Sequence, residues 1–320
     1  MTVEELKAQL RLPLIGAPMF IVSTPELVIA QCASGVLGAF PALNARPQAQ
    51  LGDWLGRITA ALDALRREHP ERAIAPFAVN QIVHPSNPRL EQDIDTCVEH
   101  RVPLMISSLH APDRVVEAAH AYGGLVFHDV TTVRHAKRAL DAGVDGLILV
   151  CAGAGGHAGR LSPFALAGEV RRFYDGPIAL AGAISHGEHL LAAQALGADF
   201  GYLGTRFIAS REANASERYR QMLIEAGASE VIYTDLFTGI HGNYLAASIR
   251  DAGLDPSALP ASNGEKLTLG DGGLKVWRDV VGAGQGVGAI EAIEPVARIV
   301  ERIEQEYRDA RRRLLGSACG

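Results

Sequence analysis

Apolar residues gather in eight short runs along the first two-thirds of the chain, at 12–17, 36–40, 73–80, 102–107, 125–129, 146–150, 177–181 and 200–203. The runs are nearly continuous rather than alternating, the pattern of parallel strands covered on both faces. Between them, 25–33, 54–68, 89–100, 113–121, 133–142 and 187–196 carry apolar positions at helical spacing. Several of these open with cap residues, as in Ser23-Thr24-Pro25, Ser86-Asn87-Pro88 and Ala111-Pro112-Asp113. Eight strand–helix units in about 200 residues predict an α/β chain folded as a (β/α)8 TIM barrel. A doubly wound open sheet is the competing arrangement. Polar or small residues at nearly every strand end, with no break in composition, favour closure.

The rhythm changes after Gly204-Thr205-Arg206. Residues 211–285 hold helical pieces and a loop at 255–273 rich in Pro, Gly, Ser and Asn, too long for one connection. They predict a small helical subdomain or lid inserted before the last barrel helix, with the barrel formed by 1–210 and 286–320. The last helix is expected over 288–315.

Composition narrows the class. Of 320 residues, 48% are apolar, enough for a sizeable core, and the net charge is 30 − 36 = −6. There is no basic stripe for nucleic acid, and Arg311-Arg312-Arg313 reads as the solvated end of a helix. Cys32, Cys97, Cys151 and Cys319 are far apart, without C-x-x-C spacing, which fits a reducing compartment and predicts no metal centre. The N-terminus is polar and no apolar run reaches membrane-spanning length, so a cytoplasmic protein without membrane or nucleic-acid partners is expected.

In a barrel, chemistry sits at the C-terminal strand ends. The sixth run leads into Val150-Cys151-Ala152-Gly153-Ala154-Gly155-Gly156-His157-Ala158-Gly159, which surrounds one histidine with glycines. Glycine permits close backbone approach, and histidine titrates near neutral pH. The loop also fits G-x-G-x-x-[G/A], but Leu161-Ser162-Pro163 interrupts the helix a dinucleotide site requires, and the next strand ends without an acid. His157 is therefore the candidate proton-transfer residue, with His128, His186 and His241 as rivals. Ala181-Gly182-Ala183 and Leu203-Gly204-Thr205 end the last two strands, where barrels often hold phosphate; ordinary helix capping is the alternative. Asn80 suits the edge of a heterocycle or a turn. Asp129 suits a ribityl hydroxyl, a neighbour to be oriented, or the cap of the next helix. Cys151 reads as a small strand-end residue.

Together these segments resemble the nitronate monooxygenase family, once called 2-nitropropane dioxygenases, with flavin-dependent enoyl-ACP reductases and a branch of NADH:quinone reductases as relatives. The resemblance rests on Gly16-Ala17-Pro18-Met19, Phe77-Ala78-Val79-Asn80, Ala154-Gly155-Gly156-His157-Ala158-Gly159, Ala181-Gly182-Ala183-Ile184, Leu203-Gly204-Thr205-Arg206-Phe207 and Ala283-Gly284-Gln285-Gly286-Val287, in family order over most of the chain. It implies a barrel binding FMN noncovalently. Ala17, Pro18, Met19 and Asn80 would line the flavin, and Gly182, Gly204 and Thr205 would take the phosphate. Asp129, Gly156, Ala181, Ala183, Leu203 and Gln285 complete the expected cofactor set, and His157 matches the catalytic base. The chain departs from the family at Val150 and Gly153, where many members carry Gln and Glu, and at Asp129, where the quinone-reductase branch carries Lys.

The expected activity is oxidation of alkyl nitronates or nitroalkanes with O2 to carbonyl compounds and nitrite. An NAD(P)H-dependent reductase of quinones or enoyl thioesters and a non-catalytic phosphate-ligand barrel are the alternatives. The expected partners are a small-molecule substrate and O2, with NAD(P)H as an optional reductant and a homodimer as an admissible assembly.

Overall fold

The structure is a computed structural model that describes residues 1–260, 262 and 275–317. Its strands are β1 (Leu14–Gly16), β2 (Gly38–Pro41), β3 (Phe77–Val83), β4 (Leu104–Leu109), β5 (Leu125–Val130), β6 (Gly146–Val150), β7 (Gly156–His157), β8 (Ile178–Ala181), β9 (Phe200–Leu203), β10 (Val231–Thr234) and β11 (Gly242–Leu245). Eight of them form one parallel sheet in the order β1-β9-β8-β6-β5-β4-β3-β2. The sheet closes on itself between β1 and the residue leading into β2. Leu37 N–H donates to Leu14 O at 3.1 Å, and Gly16 N–H donates to Leu37 O at 2.7 Å. The closed barrel is the architecture the eight apolar runs predict.

Both faces of each strand are buried, for different reasons. Ile15, Leu37, Ala39, Ala78, Leu104, Ile106, Leu125, Phe127, Ile148, Ala179 and Phe200 fill the barrel interior. Their neighbours Val79, Met105, Val126, Leu147, Leu149, Ile178 and Leu180 pack outward in the helix layer. Because strand side chains alternate with period two, the next inward positions are Asn80, Ser108, Asp129, Val150, Ala181 and Tyr202. These six make the last interior layer, at the C-terminal mouth.

A helix not expected from the sequence, Val3–Ala8, carries Leu6 into the interior cluster and seals the other end. Thr2 and Glu5 cap it reciprocally, and Lys7 ties it to Asp199 at 2.7 Å. Barrel helices occur at Pro25–Ala33, Gln50–Glu68, Leu90–Glu99, Asp113–His120, Val133–Asp141, Pro163–Val170 and Gly187–Ala195. Pro163–Val170 is the one the sequence pattern does not show.

The segment after the eighth barrel strand contains helices Glu217–Glu225 and Ala246–Asp251, but it also contains β10 and β11, an antiparallel pair. The insertion, expected as a small helical subdomain or lid, thus carries a β-pair as well as helices. Val231-Ile232-Tyr233-Thr234 and Gly242-Asn243-Tyr244-Leu245 include β-branched and aromatic residues that suit a pleated surface. Gly239, at φ 75°, lies in the connection between them. The last helix begins at Val296, not at 288. Pro295 biases Glu294 towards extended backbone, so 285–289 form only a 3-10 turn before it. Most of the 255–273 loop, together with Cys319, lies outside the described residues. No helix among the described residues is long and apolar enough to cross a membrane.

Candidate functional site

The inward layer at the mouth carries a hydrogen-bonded chain across three strands. Asn80 Nδ2 donates to Ile106 O at 3.2 Å and to Ser108 Oγ at 2.8 Å, and Ser108 Oγ donates to Asp129 Oδ2 at 2.6 Å. A backbone carbonyl accepts only, so the amide nitrogen must face Ile106, which leaves Asn80 Oδ1 as the acceptor for any ligand. Asp129 Oδ1 is enclosed and has no hydrogen-bond partner among the described residues. Burial pushes the Asp129 carboxyl up to about 6, partly offset by the Ser108 hydrogen bond, and among the described residues no cation acts on it. Burial, then the Asp129 charge, also raises the Tyr202 phenol. Asp129 does not cap the next helix: Thr132 does, accepting from His135 N–H at 3.2 Å. The rest of the layer is apolar, with Ala181 beside Ala154 and Ala158, and Val150 and Tyr202 packed against them.

The glycines converge at a second place. Gly153 O accepts from Ala183 N–H at 3.2 Å and from Gln285 N–H at 2.8 Å. Thr205 Oγ1 accepts from Gly284 N–H at 2.8 Å, leaving its own proton free to donate. A Cβ on Gly155 would lie 2.8 Å from Gly284 N and 3.0 Å from Thr205 Oγ1, so only glycine admits this approach. Gly204 sits against Ala17 and Met19, and Ala17 N–H donates to Leu203 O at 2.7 Å. The loop through Pro18 is held by Ser23 Oγ, which accepts from Met19 N–H, and by Asn44 Nδ2, which donates to Met19 O. Ala17, Met19, Ala183, Gly204, Thr205 and Gln285 therefore share one rim with the glycine loop. The Leu203 side chain packs away from it, in the outer cluster with Leu14 and Phe207, so only its backbone reaches the rim. Gly182, at φ 139°, takes a conformation that side-chain-bearing residues avoid, and Ala183 follows at φ 56°.

His157 lies where the insertion grips the glycine loop. β11 pairs antiparallel with β7, setting Gly242 opposite His157 and Asn243 opposite Gly156. Asn243 Nδ2 donates to Ala154 O at 2.6 Å, and Tyr233 Oη donates to Ala158 O at 2.9 Å. His157 Nε2 meets Thr238 Oγ1 at 3.0 Å, and the Trp277 ring stands edge-on to the imidazole at 5.3 Å. His157 is an exposed residue, yet desolvation of its ring lowers its pKa below the ordinary histidine value.

Of its rivals, His241 borders the same loop, its O accepting from Ala158 N–H at 3.2 Å, and the others lie elsewhere. His128 points outward from β5 against Ser107, with burial pulling its pKa down to about 4. His241 stacks on Tyr233 at 5.1 Å. His186 groups with Glu188 and Glu306, whose ligand atoms fall within 4.8 Å of one another, a clustering the sequence does not reveal. Glu188 there already pairs with Arg313, and Glu306 accepts from Gly187 N–H. The Cys151 thiol is buried and pushed up to about 12, which leaves it inert. Ser108, Tyr202, Thr238, Asn243 and Trp277 were absent from the sequence-level candidates. Only Ser108 carried a signal, as a polar strand end.

Known proteins resemble this chain in sequence and fold. A nitronate monooxygenase from Paraburkholderia phytofirmans is 29% identical, with 93% of this chain and 93% of the relative covered. Nitroalkane oxidase from Streptomyces ansochromogenes superposes with a TM-score of 0.75 at 25% identity, covering 97% of this chain and 99% of that one. FabK from Thermotoga maritima shares the fold, with a TM-score of 0.75 at 24% identity over 99% of each chain. The family model described as nitronate monooxygenase matches residues 40–306, and the chain belongs to that family of FMN-dependent oxidoreductases.

Proposed function

We propose that the barrel mouth binds FMN and that the protein oxidises small nitroalkanes or their nitronates with O2, giving a carbonyl compound and nitrite. The residues fit the cofactor. Asp129 Oδ1 is an enclosed polar atom without a partner among the described residues, suited to a ligand hydroxyl or N–H. Asn80 Oδ1 offers an acceptor beside it. The rim of Gly182, Gly204 and Thr205 has the glycine backbone and free hydroxyl proton that a phosphate needs. FMN, when bound, supplies the electron acceptance that the side chains lack.

The observation that carries the reading is His157. Its pKa is held below the ordinary histidine value, the residue is exposed, and the insertion holds it in the loop that follows the sixth barrel strand. A neutral imidazole can take the α-proton of an uncharged nitroalkane, forming the nitronate as the imidazole becomes imidazolium. The positive charge so formed then offsets the negative charge on the nitro oxygens. Asn80 and Asp129 orient the bound partners, and Val150, Ala154 and Ala181 exclude water around them.

The test begins with extraction and identification of the bound cofactor. The yellow protein is then mixed anaerobically with a nitroalkane, its nitronate, NADH and NADPH. Bleaching by the nitro compounds supports the reading. Bleaching by a reduced nicotinamide alone replaces it with a reductase, and a protein that cannot take up FMN leaves a binding barrel.

A further inference from the structure

We propose that Thr238 is a positioning residue that fixes the proton of His157 on Nε2, so that Nδ1 is the atom accepting the substrate proton. The inference rests on the proton-abstracting role of His157 proposed above, but its geometry does not. Thr238 has one hydroxyl proton. Its Oγ1 donates that proton to Ile240 O at 3.0 Å and accepts from Ile240 N–H at 3.3 Å. With the proton committed to a carbonyl, the 3.0 Å contact to His157 Nε2 is made only if Nε2 carries hydrogen. A neutral imidazole has one N–H, so the lone pair is on Nδ1. Among the described residues nothing hydrogen-bonds to Nδ1.

The ring has little freedom to reverse this arrangement. Trp277 stands edge-on to it at 79° and is itself stacked on the buried Tyr244 at 5.3 Å. β11 holds the backbone of His157 from the other side. When Nδ1 takes a proton, the imidazolium keeps its Nε2–H on Thr238, and that hydrogen bond strengthens because the donor is now charged. The insertion thus contributes to the proton transfer as well as gripping the glycine loop.

The experiment uses the FMN-loaded protein with 15N-labelled histidine. At neutral pH, expected is a protected Nε2–H signal for His157 in the wild type and in Thr238→Ser, and its loss in Thr238→Val. With a neutral nitroalkane, Thr238→Val is expected to lose roughly tenfold in kcat with little change in KM, and Thr238→Ser to recover most of it. An Nδ1–H tautomer in the wild type overturns the inference, as does a Thr238→Val protein with unchanged kcat and an intact Nε2–H signal. If the wild type turns over no nitro compound yet shows the Nε2–H signal that Thr238→Val loses, the functional reading fails and the tautomer assignment stands.

Discussion

Replacing Asp129 with asparagine should make the protein more stable at high pH and leave it little changed in acid. The carboxyl is enclosed at the barrel mouth, and among the described residues it has one hydroxyl donor from Ser108, an unpartnered Oδ1 and no cation acting on it. Its pKa rises from 3.8 to about 6 on folding. At 1.36 kcal/mol per unit, ionised Asp129 costs about 3 kcal/mol once the pH is well above 6. The sign follows from proton counting. Between about pH 4 and pH 6 the folded state keeps a proton that the unfolded chain has released, so stability falls as pH rises through that window. It then levels off. Asparagine has no charge to bury and can still accept from Ser108. Urea unfolding of the cofactor-free protein, run for both forms from pH 4 to pH 8, measures the effect. The advantage of Asp129→Asn should grow by about 2–3 kcal/mol across the series. A difference that is constant with pH would refute the enclosed, uncompensated carboxyl.

Other consequences follow from the same geometry. Gly155→Ala places a methyl 2.8 Å from Gly284 N. Its cost should be about 1–3 kcal/mol in urea unfolding, together with weakened FMN retention on gel filtration. Asn243→Ala removes the buried amide bond to Ala154 O, which should cost about 1–3 kcal/mol and lower turnover by loosening the histidine loop. Because desolvation depresses the His157 pKa, kcat with a neutral nitroalkane should be flat above neutral pH and fall only as the pH drops below the ordinary histidine range. A rate that halves near or above pH 7 would contradict that direction.

The barrel was legible because each of its strands is a continuous apolar run, and burial on both faces leaves that mark in the sequence. The polar residues ending those runs, Asn80 and Asp129 among them, were legible for the opposite reason: they interrupt the apolar pattern where the mouth opens. Which of them meet was not legible. The bonds joining Asn80, Ser108 and Asp129 depend on strand register, which pairs Asn80 with Ile106 and Ser107 with His128. The partners of His157 were hidden more deeply. Thr238 is 81 positions away, on the connection of a β-pair whose strands are only four residues long, and Trp277, farther still, comes from a later segment that stacks on Tyr244. Helix Val3–Ala8 carries one buried residue, too few for a periodic signal. Pro163–Val170 opens within Leu161-Ser162-Pro163, which reads as an interruption although Ser162 caps the helix and Pro163 starts it.

Proton abstraction by His157 is tested most directly by nitrite release from FMN-loaded wild type and His157→Asn, each given a neutral nitroalkane and, separately, its preformed nitronate. Expected is a His157→Asn protein that stays yellow, keeps substantial turnover of the nitronate, and loses at least about 100-fold with the nitroalkane. Undiminished nitroalkane turnover by the FMN-loaded variant would contradict the role given to this histidine.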